Sequence, residues 1–234
     1  MLVIPSLDLQ KGRSRLVWWP GASTGVGAPT DRPAVIAEAL VAQGAPAIHL
    51  VDLDGAQQGR PVNLEAIGGV ARAVAKPLQV AGGVDGPEQI EMAFAAGATR
   101  VVLPLWAVVE DRPRLASCLD IAGDWLAVGL DARPESLSGY PWRHRSPPRL
   151  GELVLELGAA GVRRFIFSHL PTEGAPQLMA SLTGGLDADV LVAGGTVSLD
   201  ALRGLREAGV AGVILGEALF TGRLDLGEAL RAAA

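Results

Sequence analysis

Two short apolar runs of the sequence each carry an aspartate at their C-terminal end. The first run, residues 4–9, carries Asp8, and the second run, residues 126–131, ends on Asp131. A single aspartate at a strand end often only caps a turn, whereas two at equivalent places favour a functional pair. One carboxylate can remove a proton while the other donates one, if their surroundings set the two pKa values apart. The sequence therefore predicts Asp8 and Asp131 as an acid/base couple.

The elements that must position these carboxylates alternate regularly along the chain. Near-continuous apolar runs, typical of parallel strands buried on both faces, lie near residues 2–8, 47–52, 77–81, 99–103, 125–131, 163–168, 190–193 and 212–215. Longer amphipathic stretches, predicted as helices, lie near residues 33–43, 63–75, 87–96, 111–121, 150–159, 176–186, 199–208 and 224–233. Eight βα units predict one α/β domain over residues 1–234, a (β/α)8 TIM barrel.

The second half of this pattern repeats the first. Residues 81–103 match residues 193–215 at a constant offset and without a gap. Asp8 and Asp131 also fall at equivalent places, so we predict two half-barrel repeats, about residues 1–121 and 122–234. Glycines just before the next strand are predicted to end four helices, at Gly44, Gly97, Gly158 and Gly209.

The longest connections follow the two strands that carry the aspartates. They span residues 11–30 and 133–149 and are rich in Gly, Pro, Ser and Arg. In barrels of this kind the active site lies at the carboxyl ends of the strands, in the loops that follow them. The long loops and the aspartates therefore predict the same rim as the site.

A phosphate site is predicted after the seventh and eighth strands. Gly194 and Gly195 allow a ligand to approach the backbone just before a helix, and Gly216 and Glu217 can open a short extra helix. Loops at these two places commonly bind phosphate through backbone N–H groups. The alternative is that the glycines serve only tight turns.

The equivalent site in the first half looks impaired. Gly82 and Gly83 are present, but Pro104 stands at the place equivalent to Gly216. Proline removes a backbone donor and adds bulk. Asp85 would repel a phosphate if its side chain pointed inward.

Three further groups have open interpretations. His49, inside the second predicted strand, is either a hydrogen-bonded core histidine or a substrate contact. Ser168 either supplies a hydroxyl to the pocket or belongs to a plain loop. The cluster at residues 143–145, Arg-His-Arg, is either a solvated loop or a grip for an anion.

Composition and charge limit the possible partners. The net charge of −5 gives no general attraction to nucleic acid or an anionic membrane. No leader-like segment opens the chain, and no stretch of about 18 apolar residues is free of charge. The one cysteine, Cys118, excludes an internal disulfide and a Cys-rich metal site, and its helical surroundings predict a small buried hydrophobe. We expect a cytoplasmic monomer that binds neither nucleic acid nor membrane.

Several segments together resemble a known family. They are IPSLDLQKG at residues 4–12, HLVDLDGA at residues 49–56, GLDAR at residues 129–133 and the paired Gly-Gly loops. They are similar to phosphoribosylformimino-aminoimidazole carboxamide ribotide isomerase of histidine biosynthesis over nearly the whole chain. The related cyclase of that pathway shares the barrel and the two aspartates but not HLVDLDGA.

The resemblance implies an aldose–ketose isomerase, an intramolecular oxidoreductase that performs an Amadori rearrangement of a phosphorylated small molecule. It implies neither a cofactor nor a metal. Asp8 matches the general base that takes the C2 proton, and Asp131 matches the general acid that assists ring opening. Arg15 and Trp142 match substrate-binding positions of the first and fifth loops. Phosphate-binding positions match Gly82, Gly83, Gly194, Gly195 and Gly216.

The chain also departs from the family pattern. Pro104-Leu105 replaces a Gly-Thr pair, Ser168-His169-Leu170 replaces Thr-Asp-Ile, and Asp85 stands where the family has an arginine. Three hypotheses remain: the intact isomerase with its second phosphate held differently, a relative acting on a smaller substrate with one phosphate, and a non-catalytic barrel that binds a phosphorylated metabolite or a partner protein.

Overall fold

The computed structural model describes residues 1–18, 29–133, 148–170, 174–195 and 198–234. Eight parallel strands of this part of the chain form a sheet in which each strand pairs with the next and the last pairs with the first. They are β1 (Leu2–Gln10), β2 (Ile48–Asp52), β3 (Leu78–Ala81), β4 (Arg100–Pro104), β5 (Leu126–Asp131), β6 (Arg164–Ser168), β7 (Asp189–Ala193) and β8 (Gly212–Leu215). A two-residue strand, Arg13–Ser14, folds back antiparallel on β1. The predicted (β/α)8 barrel is confirmed.

Helices follow the strands around the barrel. They are α1 (Pro33–Ala42), α2 (Leu53–Gln58), α3 (Leu64–Ala73), α4 (Pro87–Ala95), α5 (Arg112–Ala122), α6 (Leu150–Ala159), α7 (Ala175–Thr183), α8 (Leu199–Glu207), α9 (Glu217–Phe220) and α10 (Leu226–Ala233). The short α9 confirms the extra helix expected after the last strand. The helix α2 directly follows β2, in a segment where no helix was predicted.

Several helices are followed by a glycine in the left-handed backbone conformation, which has little steric penalty in a residue without a Cβ. Gly44, Gly97 and Gly209 have φ of +102°, +100° and +81° just past their helices, as predicted. The prediction for Gly158 was wrong, because α6 continues through it to Ala159 and Gly161 takes the left-handed conformation (φ +109°). Gly158 instead makes room for the side chain of Leu186, which would lie 3.3 Å from an added Cβ.

Apolar side chains fill both the space between sheet and helices and the inside of the barrel. The inner cluster consists of Ile4, Ala47, Val102, Ala127, Ile166, Leu191 and Ile214. Because side chains alternate along a strand, residues an even number of positions further along these strands also face inward. The inner face of β1 therefore runs from Ile4 to Asp8, and that of β5 from Ala127 to Asp131.

The two halves of the sheet use the same pairing register. Asp8 pairs with Val51 of β2, and Asp131 pairs with Ser168 of β6. Val51 pairs in turn with Ala81, and Ser168 with Ala193. The two aspartates therefore occupy equivalent places in the barrel, each two strands before the strand, β3 or β7, that a Gly-Gly loop follows.

Two smaller expectations can be compared with this fold. Cys118 is fully buried in α5, and burial raises the pKa of its thiol to about 11, which suits a structural residue. Among the described helices none is long and apolar enough to cross a bilayer.

Candidate active site

Asp8 lies half-buried at the carboxyl end of β1. The chain leaves the strand and returns at once, so that the backbone N–H of Arg15 donates to the carbonyl oxygen of Asp8 at 2.8 Å. Burial raises the pKa of Asp8 above its ordinary value, and the positive charge of Arg15 offsets part of that rise. A carboxylate with a raised pKa is a stronger base than an exposed one. The structure thus places Arg15, the arginine of the first loop, close to Asp8.

Asp131 lies in a more polar environment at the end of β5. The backbone N–H and the guanidinium Nε of Arg133 each donate to its carboxylate at 3.0 Å, and a second guanidinium nitrogen of Arg133 also contacts it. His169 brings its Nδ1 to 3.3 Å from Oδ2. Partial burial raises the pKa of Asp131, but the bonds from Arg133 and the charge of His169 outweigh it and leave the pKa below its ordinary value.

The two carboxyl groups therefore differ in the direction of their pKa shifts. Asp8 is shifted towards the protonated form and Asp131 towards the ionised form. Pairs of titratable groups whose environments separate their pKa values are characteristic of acid/base sites. The roles implied by the resemblance, Asp8 as base and Asp131 as acid, would by themselves favour the higher pKa on Asp131, so the two shifts run in the reverse order.

A buried carboxylate holds the segment after β2 in place. Asp52 is fully buried and caps α2, accepting from Gly55 N–H at 2.7 Å. It also accepts from the N–H groups of Val62 and Asn63 at 2.6 and 2.8 Å, and from the amide Nδ2 of Asn63 at 2.6 Å. Four donors thus converge on one carboxylate, which fixes the loop between α2 and α3.

The same segment grips the chain just after Asp8. The N–H of Gly12 donates to Oδ1 of Asn63 at 2.7 Å, and the N–H of Lys11 donates to Oδ2 of Asp54 at 2.6 Å. Lys11 has a positive φ of 51°, which such a specific pairing stabilises. Residues 52–63, which begin inside the HLVDLDGA segment, therefore act as a clamp on the end of β1. Sequence reasoning missed this role, although an aspartate before a six-residue helix is a usual capping signal.

The two Gly-Gly loops have different surroundings. A Cβ on Gly82 would lie 2.2 Å from the carbonyl oxygen of Asp52, and one on Gly83 would lie 2.5 Å from the carbonyl carbon of Arg60. These two glycines are required because the clamp segment packs directly on them. Gly194 and Gly195 share the positive φ (+71° each), but no atom of the described part of the chain lies within 4 Å of an added Cβ, and both are exposed. The second pair is open to a ligand.

A cavity of about 460 Å³ opens at the ends of β2 to β6. Asp131 and Ser168 line it on one side, and Asp85, Pro104 and the half-exposed Trp106 line it on the other. Its other lining residues are His49, Val51, Ala56, Gly59, Ala81, Gly82, Gly83, Val84, Val102, Leu103, Leu105, Gly129, Leu130 and Ile166. The lining therefore combines carboxylates with apolar and aromatic groups.

His49 and Ser168 both line this cavity but differ in exposure. His49 is buried, with its Nδ1 at 2.9 Å from the amide of Gln79, and burial, with the nearby charge of Arg100, lowers its pKa to about 4. It is thus a neutral, hydrogen-bonded core histidine whose surface touches the cavity. The hydroxyl of Ser168 donates to Leu130 O at 3.3 Å.

The end of β8 lies against β1. Gly216 begins α9, and a Cβ there would be in ordinary contact with Ser6 at 3.6 Å. The side chain of Glu217 is largely exposed and pairs with Arg223 at 2.8 Å. Glu217 therefore marks the start of the short helix, with its carboxylate held by a neighbouring cation.

Some predicted positions fall outside the described residues. They are Trp142 and the Arg-His-Arg cluster at residues 143–145. Among the residues that are described, no group of three or more His, Cys, Asp or Glu side chains could hold a metal ion.

Fold and site together define a (β/α)8-barrel protein with two unlike carboxylates at the carboxyl-terminal rim. Comparison with known families matches residues 2–225 to the family described as "Histidine biosynthesis protein". The chain belongs to this family, and the resemblance drawn from its motifs is confirmed.

Individual relatives cover almost the whole chain. A protein of Roseiflexus castenholzii is 38% identical over 239 residues, which is 99% of either chain. It is named 1-(5-phosphoribosyl)-5-((5-phosphoribosylamino)methylideneamino) imidazole-4-carboxamide isomerase. Proteins of the same name from Chloroflexus aggregans and Moorella thermoacetica are 36% and 35% identical, covering 98% and 100% of this chain and 97% and 99% of their own.

Proposed function

We infer that the chain is an aldose–ketose isomerase of histidine biosynthesis, which converts a phosphorylated aminoaldose into the aminoketose by an Amadori rearrangement. Its family membership and its full-length similarity to proteins named as that isomerase support the assignment. The observation that carries it is the placement of Asp8 and Asp131 at equivalent positions of the barrel rim, each at the carboxyl end of its strand.

We propose that Asp8 is the base that takes the proton from C2 of the substrate. Its half-buried position raises its pKa and so makes its carboxylate more basic, while the charge of Arg15 offsets part of that rise. The clamp on Lys11 and Gly12 holds the end of β1, which limits the motion of Asp8 relative to the substrate. Asp131, on the opposite half, acts at the ring oxygen.

One substrate phosphate is proposed to bind at the loops after β7 and β8. Gly194 and Gly195 leave open space beside the backbone after β7, and Gly216 precedes α9 after β8, the strand that pairs with β7. The pairing of Gly194 N–H with Ile214 O (3.3 Å) holds the two loops together. Trp142 and Arg15 are proposed to complete substrate binding from the long loops.

A turnover assay tests the assignment. Purified protein is mixed with the bis-phosphorylated aminoaldose, and formation of the aminoketose is followed by absorbance and by NMR. We expect saturable turnover that is lost in Asp8→Asn. The absence of turnover at micromolar enzyme would rule out the assignment in favour of a non-catalytic, ligand-binding barrel.

A second candidate is an isomerase for a smaller substrate with a single phosphate. The cavity supports it, because Asp85 and Pro104 line the place where a second phosphate would be expected. A carboxylate repels a phosphate, and a proline offers no N–H. Titration with inorganic phosphate, followed by calorimetry, counts the sites: one site favours this candidate and two equal sites exclude it.

We further propose that the chain is a duplicated half-barrel and a monomer. The identical pairing registers of the two halves support the duplication. Among the described residues, the exposed large hydrophobic side chains are spread over several elements, which is normal for a monomer surface; they are Leu2, Val17, Val62, Trp106, Ile121, Trp125 and Leu155. Sedimentation equilibrium tests the monomer, and separate expression of residues 122–234 tests the folding of one half.

A further inference from the structure

His169 follows β6 and turns its side chain back over the end of β5. Its backbone has a positive φ of 55°, a conformation that few residues other than glycine adopt. The ring Nδ1 lies 3.3 Å from Oδ2 of Asp131 and 3.2 Å from Oγ of Ser168. More than half of the side chain is exposed, so water can reach the imidazole.

The partners of Nδ1 determine which way its hydrogen bond runs. The hydroxyl of Ser168 already donates to Leu130 O, so its oxygen offers a lone pair to His169. When the carboxyl group of Asp131 is ionised, it has no hydrogen to donate and can only accept a hydrogen bond. Both neighbours are therefore acceptors, and Nδ1 carries the hydrogen that they share.

Asp131 by itself is a weak source of protons at neutral pH. A carboxyl group with its ordinary pKa is protonated in about one molecule in 10³ at pH 7. The pKa of Asp131 lies lower still, because Arg133 donates to both of its oxygens. Ring opening needs an acid at this place that holds a proton under working conditions.

We propose that Asp131 and His169 act as one acid that holds a single proton on the imidazole side and releases it towards the substrate's ring oxygen. This rests on the proposed function, in which Asp131 faces that oxygen. The C1–oxygen bond breaks, its electron pair stays on the oxygen and takes the proton, and the nitrogen lone pair forms the C1=N bond. Asp8 then takes the C2 proton, so that one proton is given and one received before solvent resets both groups.

The charged groups around His169 fit this role. Asp131 faces Nδ1 from β5, and Arg133 reaches the pair through the carboxylate of Asp131. When two groups share a proton in this way, the titration belongs to the pair.

The test compares kcat/KM from pH 4.5 to 9 for the wild type, His169→Asn, Asp131→Asn and the double variant. Asparagine keeps a hydrogen-bonding amide but cannot hold the proton. We expect a fall in kcat/KM of about 100-fold at pH 7 for His169→Asn. The wild type should show a fall in kcat/KM at alkaline pH that His169→Asn lacks. The double variant should have a kcat/KM only slightly below that of Asp131→Asn. A His169→Asn profile parallel to the wild type and within threefold of it would overturn the proposal.

A second readout does not need activity. The ring of His169 is titrated by NMR in the wild type and in Asp131→Asn, and the chain's three histidines make assignment by variant simple. Removing the carboxylate of Asp131 should lower the titration midpoint of the His169 ring by at least about half a pH unit, because the carboxylate no longer attracts the imidazolium. An unchanged midpoint contradicts the pairing even if the wild type proves inactive, whereas inactivity with a shifted midpoint contradicts only the proposed function.

Discussion

Replacing Asp52 by asparagine should loosen the clamp that holds the end of β1. Each carboxylate oxygen accepts two hydrogen bonds: Oδ1 from Gly55 N–H and Asn63 Nδ2, and Oδ2 from the N–H groups of Val62 and Asn63. An asparagine has one oxygen and one NH2 group. In either orientation the NH2 group meets two donors, so two of the four bonds are lost and two N–H groups remain unsatisfied.

The size of the effect follows from those two bonds. A hydrogen bond to a charged group contributes about 1.5–3 kcal/mol, and Asp52 is fully buried, so water cannot replace the lost partners. Two bonds therefore amount to about 3–6 kcal/mol, and local relaxation should leave a loss of about 3 kcal/mol in unfolding free energy. For a chain of this size that corresponds to a fall in Tm of roughly 6–12 °C.

The measurement is urea unfolding followed by circular dichroism, with kcat/KM determined on the same samples. Because the clamp also binds Lys11 and Gly12, Asp52→Asn should lower kcat/KM at 25 °C by about tenfold or more, even where the variant is folded. Asp120→Asn makes the same chemical change on the exposed face of α5 and should stay within about 0.5 kcal/mol of the wild type. An Asp52→Asn variant as stable as this control would refute the reasoning.

Three further outcomes are expected. The value of kcat/KM should fall as the pH drops through the raised pKa of Asp8, because Asp8 must be ionised to act as a base. Arg15→Gln should move this acidic limb of the kcat/KM profile to higher pH, because it removes the positive charge that lowers the pKa of Asp8. Gly83→Ala should lower the unfolding free energy by more than about 2 kcal/mol in urea titration, because its Cβ meets backbone at 2.5 Å. Gly195→Ala should lose only about 1 kcal/mol from its positive φ. Since the pKa of His49 is about 4 in the folded protein and about 6.5 when unfolded, stability should fall by about 3 kcal/mol from pH 7 to pH 4, and this dependence should be absent in His49→Gln.

The barrel could be predicted because its strands have a simple signal. Buried parallel strands read as continuous apolar runs, and glycines such as Gly44 and Gly97 mark where helices stop. The helix α2 could not be seen in this way, since the six-residue LDGAQQ segment is too short to show apolar periodicity and contains a glycine. Gly158 misled the prediction because its smallness serves packing against Leu186 rather than a turn.

The candidate site was predictable as far as it depends on strand ends. Asp8 and Asp131 were found because duplication put them at equivalent places, and the side-chain alternation of a strand then aims both inward. The contact of His169 with Asp131 was not predictable, since it depends on a left-handed backbone at a residue other than glycine. The difference between the two Gly-Gly loops likewise arises from tertiary packing, which no local pattern records.

The central claim is that Asp8 removes a proton from the substrate, and the most direct test is the side-by-side determination of kcat and substrate Kd for the wild type and Asp8→Asn. The asparagine keeps the size and position of the side chain but cannot accept the proton. The account predicts a kcat lower by at least about 10³-fold with a Kd within about threefold of the wild type. A kcat within tenfold of the wild type would contradict it.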